Sequence, residues 1–166
     1  MTDSCALPQL KQNPALVQRF SKHLLGKTPD HPWIKRNAAF YTSPIAADSR
    51  GTAAHVLGNE TIPTVQLVSW LLMEAKDAAK HHTKSSVVDA VISVPPFFTH
   101  WERLDILTAA HMAGLNVLSL MNEGTACATD YYLTRTIGNS TGNIVLFDMG
   151  DVATKVTWTV VAGSLQ

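Results

Sequence analysis

The chain reads as an α/β fold in which helices are layered on a largely parallel sheet. Three compact apolar runs, at 87–94, 115–121 and 144–149, have the near-continuous, β-branched character of strands covered on both faces. Helix-period segments lie between them, and that alternation implies right-handed strand–helix–strand crossovers. With 166 residues, 46% of them hydrophobic, the chain has the size and composition of about one globular domain.

The elements follow in order. Asn13 can cap a helix whose first turn tolerates Pro14; Leu16, Val17, Phe20 and Leu24 then share a face and Gly26 supplies a stop, so the spacing predicts a helix over 14–25. From Thr28 to Ile62 the prolines at 29, 32 and 44 with Gly51 and Gly58 break every helical period. Short strands are expected at Ala38–Thr42 and Thr52–Leu57, with loop elsewhere. Pro63 opens the strongest helix: Val65, Val68, Leu72, Ala75 and Ala79 recur at helical spacing as far as His81-His82. The strand at 87–94 stops at Pro95-Pro96. Thr99 and Glu102 then have capping-box spacing for a helix ending before Gly114. A strand over 115–121, a helix from Gly124 to about Arg135, a turn at 139–142 and strands at 144–149 and 154–161 complete the chain.

Composition removes several function classes. The charges cancel, 13 Lys+Arg against 13 Asp+Glu, so neither a nucleic-acid surface nor a polybasic membrane anchor is expected. No apolar run is long enough to span a bilayer, and the first residues show no signal peptide. Cys5 and Cys127 allow at most one bridge. Seven histidines show no metal-ligand spacing, and neither a Walker loop nor a serine nucleophile elbow occurs. Trp33, Trp70, Trp101 and Trp158 are scattered singly, as packing residues are. Asn59 and Asn139 sit in glycosylation-type triplets, which agree with a secretory location without establishing one.

Two strand ends carry acids. Asp148 closes an apolar run and Gly150 follows it, a place where open α/β sheets gather metal–phosphate groups. Glu123 opens a helix directly after a strand, where the helix dipole alone would justify a carboxylate. Lys22 is placed near a helix end, as an isolated solvated cation would be.

Several segments, taken in order, carry a resemblance. Lys22-His-Leu-Leu-Gly26-Lys27, Asp89-Ala-Val-Ile-Ser-Val-Pro95-Pro-Phe-Phe98, Glu102-Arg103, Ala113-Gly-Leu-Asn-Val-Leu118, Asn122-Glu123-Gly-Thr-Ala126 and Asp148-Met-Gly150 resemble the ATPase domain of the heat-shock 70-kDa superfamily. The wording is most similar to the large, hypoxia up-regulated branch of the endoplasmic reticulum, with the cytosolic large branch its near competitor. The resemblance implies an actin-like, ribonuclease-H-like α/β domain, incomplete at both ends. Residues 1–62 would be a remnant of the outer subdomain of the first lobe, 63–141 its core, and 142–166 the start of the second lobe.

That resemblance also implies roles. Lys22 would orient the attacking water and phosphate. Glu123 and Asp148 would organise water and cations around the phosphates, Asp148 holding Mg²⁺ through water. Gly150 and Asp151 would lie in a phosphate loop, and Pro95 and Arg103 would couple the nucleotide site to a substrate domain. ATP or ADP with Mg²⁺ would be the ligand, and unfolded clients and another heat-shock 70-kDa chaperone the partners. The location would be the lumen of the endoplasmic reticulum, or alternatively the cytoplasm. The chain departs from the pattern in having no first phosphate loop, in Asp151 and Val152 where glycines are expected, and in Gly124 for a proline. Two like charges a few ångströms apart repel by about 1 kcal/mol in water and about 4 at an effective dielectric of 20. Turnover by this chain alone is therefore not expected, and a degenerate, non-enzymatic interaction module is the alternative.

Overall fold

A computed structural model of the chain describes residues 17–134, 142–150 and 153–161. Its elements are α1 (Pro32–Arg36), β1 (Ile45–Ala47), β2 (Ala53–Leu57), β3 (Glu60–Pro63), α2 (Thr64–Thr83), β4 (Asp89–Val94), α3 (His100–Met112), β5 (Asn116–Asn122), α4 (Glu123–Thr134), β6 (Gly142–Met149) and β7 (Thr154–Val161). Two compact units emerge. The first takes residues up to Ala90 together with Phe98–Leu118; the second takes Val91–Phe97 and residues from Ser119 onward.

In the first unit, β1, β2 and β3 form an antiparallel meander, with Ala46 opposite Ala54 and His55 opposite Ile62. The exposed Asn59 sits at the tip of the second hairpin, beside Gly58. Leu24, Ile34 and Ala53 form a buried cluster, flanked by Trp33, Tyr41 and Ile45. The expected helix over 14–25 does not extend through its described part. Ser21–Leu24 is a single 3-10 turn, because Phe20 before it adopts a left-handed backbone (φ 59°) that no α-helix can pass through. Asn13 and Pro14 lie outside the described residues. The expected strand at Ala38–Thr42 is likewise corrected: Ala38–Phe40 is a 3-10 turn following α1, whose Pro32 is tolerated in the first helical turn.

A buried polar chain ties the 3-10 turn to the meander. His55 is fully buried, and Ser43 Oγ donates to Gln18 Oε1 at 2.7 Å. Ser43 therefore accepts from His55 Nδ1–H at 2.9 Å, which leaves His55 Nε2 to accept from the Ser21 hydroxyl at 3.4 Å. Burial favours the neutral imidazole and pushes its pKa down to about 4.

α2 packs on α3, burying Val65, Leu67 and Val68 of its first turns. Lys76 of α2 donates to the carbonyls of Gly114 (2.7 Å) and Ala113 (3.3 Å), closing the carboxyl end of α3 with a cation where the helix dipole favours one. The capping box expected at α3 is present: Thr99 N–H donates to Glu102 Oε2 at 2.6 Å, and the Thr99 side chain accepts from the third-position backbone N–H. Glu102 also pairs with Lys27, whose ammonium lies 6.0 Å from the Trp33 ring centroid and 5.8 Å from that of Phe98. Gly26 lies against the same carboxylate residue. Its φ is +65°, and a Cβ there would meet Glu102 N at 2.7 Å, so only glycine fits. The Gly26 N–H donates to Asp105 Oδ2 at 3.0 Å.

β4 pairs with β5, and at their starts the Asn116 N–H donates to the Val88 carbonyl at 2.8 Å and the Asn116 amide to Asp89 Oδ1 at 2.6 Å. Both strands were expected to be covered on two faces. Instead β4 alternates between exposed and more buried positions and β5 is exposed at Asn116, Leu118, Ser119 and Asn122, with Val91 53% and Leu118 65% exposed.

In the second unit, β6 and β7 form an antiparallel hairpin with Leu146 opposite Thr157 and Asp148 opposite Lys155. Their inward residues Ile144, Leu146, Lys155 and Thr157 are half-buried, and α4 packs against both strands. The other face carries exposed Val145, Phe147, Val156 and Trp158. Cys127 on α4 is an exposed free thiol. No described helix is long and apolar enough to cross a membrane.

Candidate functional site

The carboxylates singled out by the sequence meet at one end of the β6–β7 hairpin. Antiparallel register sets Lys155 directly across from Asp148, the cross-strand position at which opposite charges stabilise each other. The Lys155 ammonium lies 3.6 Å from Asp148 Oδ2 and donates a hydrogen bond to Glu123, which opens α4. Glu123 also benefits from the amino-terminal end of the helix dipole. The hydrogen bond to Glu123 raises the Lys155 pKa above its ordinary value, against an opposing effect of burial, and the Asp148 charge adds to the rise. Lys155 and Glu123 are largely shielded from solvent, whereas Asp148 is 55% exposed.

α4 can come this close to the hairpin because residue 124 has no side chain. A Cβ at Gly124 would fall 2.0 Å from Thr157 Oγ1 and 2.8 Å from its Cγ2. The departure from the proline pattern at this position thus belongs to the packing of α4 on β7.

The remaining sequence candidates fall in both units. Lys22 is half-buried on the 3-10 turn of the first unit, whereas Glu123 and Asp148 belong to the second. Pro95 is fully buried after β4 in the second unit. Arg103, in the first turn of α3 in the first unit, donates from Nε to the Phe98 carbonyl at 3.0 Å. Gly150 is exposed, and its N–H donates to the Ala153 carbonyl at 3.1 Å, closing the hairpin turn. A phosphate at this loop would have to compete for that N–H. Asp151 and Val152 lie outside the described residues.

Three side chains escaped sequence reasoning. Lys155 could have been found only from the hairpin register, which sets it against Asp148. Lys27 and His55 are placed by contacts 75 and 34 residues away along the chain, which no local pattern reveals.

The resemblance implies Mg²⁺ held at Asp148. The residues present do not fit it: an ammonium stands beside both carboxylates, and no group of three His, Cys, Asp or Glu side chains able to hold a metal occurs among the described residues. What the arrangement does is neutralise charge and fasten the start of α4 to the end of the hairpin.

The family model described as Hsp70 protein matches residues 4–164. Hypoxia up-regulated protein 1 of Danio rerio is 35% identical over 157 residues, covering 92% of this chain and 16% of that protein. The Homo sapiens protein of the same name is 34% identical over 160 residues, covering 93% of this chain and 16% of its own length. Heat shock 70 kDa protein 17 of Arabidopsis thaliana is 31% identical over 135 residues, covering 80% of this chain and 16% of that protein. The chain therefore spans 16% of the length of each of these relatives. Its mixed helix–strand architecture with small sheets is that of part of an actin-like α/β ATPase lobe, and the chain belongs to the Hsp70 family.

Proposed function

We propose that this chain forms part of the ATPase-type lobe of an Hsp70-superfamily chaperone that assists protein folding under stress in the endoplasmic reticulum. There it acts on unfolded clients and as a nucleotide-exchange partner of another Hsp70 chaperone. The observation that carries the reading is the family match over residues 4–164, supported by relatives named for up-regulation in hypoxia. In this reading Lys22, Glu123 and Asp148 descend from phosphate-organising positions, Gly150 and Asp151 from a phosphate loop, and Pro95 and Arg103 from the coupling between nucleotide site and substrate domain. ATP or ADP with Mg²⁺ would supply the energy of the cycle in the whole assembly. The present chain contributes positioning and electrostatics, which is all that phosphoryl transfer asks of protein side chains. The test is release of a fluorescent ADP from a purified Hsp70 chaperone. Acceleration by the chain is expected, and a release rate equal to the chain-free control refutes the exchange role.

A second reading is favoured by one observation, the Gly150 N–H already engaged by Ala153. A lobe with its phosphate-loop donor turned inward would keep the fold as an interaction module without binding nucleotide. Calorimetric titration of the chain with Mg-ATP separates the two: saturable micromolar binding removes the module reading, and no heat of binding removes nucleotide from the first.

A further inference from the structure

Two carboxylates aimed at one point ordinarily draw a soluble cation, and Mg²⁺ in particular is often held by one or two carboxylates and several waters. Here Glu123 and Asp148 come together, yet the point they share is reached by a side chain of the same polypeptide. We infer that Lys155 is a tethered counter-ion occupying the place of a divalent cation, so that the second unit folds without metal, one of its two carboxylate charges being offset by the ammonium. The register of the hairpin carries this: Lys155 is paired with Asp148 across β6 and β7, so its ammonium reaches the carboxylates without a loop to order. Its Nζ donates to Glu123 and lies 3.6 Å from Asp148 Oδ2, so the positive charge stands beside both carboxylates. An ammonium is a compact point charge with three donors, and it satisfies carboxylate lone pairs much as a hydrated ion does. The inference rests on the hairpin and α4 alone, and stands under either reading of nucleotide binding.

Removing the tethered charge should open the position to an external one. The test is Mn²⁺ titration of the full chain, followed by the paramagnetic resonance of free Mn²⁺ and by the thermal unfolding midpoint. Wild-type protein is expected to show no saturable Mn²⁺ binding in the millimolar range and no shift of its midpoint. Lys155→Ser is expected to bind Mn²⁺ saturably, at least about tenfold more tightly than wild type, with a rising midpoint. Adding Asp148→Asn to that variant should abolish the response. A Lys155→Ser chain that folds only when Mn²⁺ is supplied would support the inference equally. It is overturned if wild type binds Mn²⁺ as tightly as Lys155→Ser, if folded Lys155→Ser gains no binding, or if that variant stays unfolded at saturating Mn²⁺.

Discussion

Acidification should loosen the first unit through a single buried imidazole. His55 is fully buried, with Ser43 and Ser21 as the hydrogen-bond partners of its two ring nitrogens. Its pKa is pushed down to about 4 by burial, from an ordinary 6.5. Because the folded value is the lower one, the unfolded chain takes up the proton first as pH falls. The contribution is therefore complete above about pH 6.5, declines as pH drops towards about 4, and is exhausted below that. The difference between 6.5 and about 4, at about 1.4 kcal/mol per pH unit, corresponds to about 3.5 kcal/mol, a sizeable part of a small domain's stability. Urea unfolding followed by circular dichroism at steps between about pH 7.5 and 4.5 reads this directly, since most carboxylates remain ionised across that window. In His55→Gln the slope between about pH 6.5 and 4.5 should flatten, because that side chain does not titrate. An unchanged slope in the variant would refute the reasoning.

Other outcomes follow from contacts of known geometry. Gly124→Ala drives a methyl into Thr157, so urea unfolding should show a loss of about 1–3 kcal/mol, partly restored by Thr157→Ala. Gly150→Ala places its methyl 3.5 Å from the Ala153 carbonyl oxygen, an ordinary contact, and should stay within about 0.5 kcal/mol of wild type in the same assay. Glu102→Ala strands Lys27 and uncaps α3, and a loss of about 3–5 kcal/mol is expected from chemical denaturation. Burial works to raise the Glu102 carboxyl pKa, but the hydrogen bond from Lys27 and those at Thr99 outweigh it and hold the pKa below the usual carboxylate range. Its contribution is thus present above the unfolded carboxylate pKa and lost as pH falls through the lower folded value, a loss that Glu102→Gln should not show in acid unfolding.

The second half of the fold was legible because its signals are local. Thr99 and Glu102 announce α3 within four residues, Gly114 marks its end with a φ of +68°, the apolar runs at β4 and β5 stand between helices of clear period, and that at β6 follows one. Of the meander only β2 was legible, as the strand expected at Thr52–Leu57. β1 and β3 have three and four residues, too few for an alternation to show, and their pairing with β2 is fixed by register rather than composition. The turn at Ser21–Leu24 defeats periodicity because Phe20 takes a backbone conformation that bulky residues rarely adopt. At the site, Glu123 and Asp148 declared themselves by standing at strand ends. Lys155 did not, since an isolated lysine in an alternating strand looks like any solvent-facing cation until its cross-strand neighbour is known.

Glu102 has one further consequence, for the routes by which this sequence can change. One residue starts α3, holds the Lys27 ammonium and lies within van der Waals reach of Gly26. Substitutions at 27 and 102 are therefore epistatic, the cost of each depending on the residue at the other, whereas the demand for glycine at 26 comes from its own φ and from the backbone of residue 102 and persists whatever side chain stands there. A lineage that replaces the Lys27–Glu102 pair is destabilised least when both residues change together, because changing one leaves the other charge buried and unpaired.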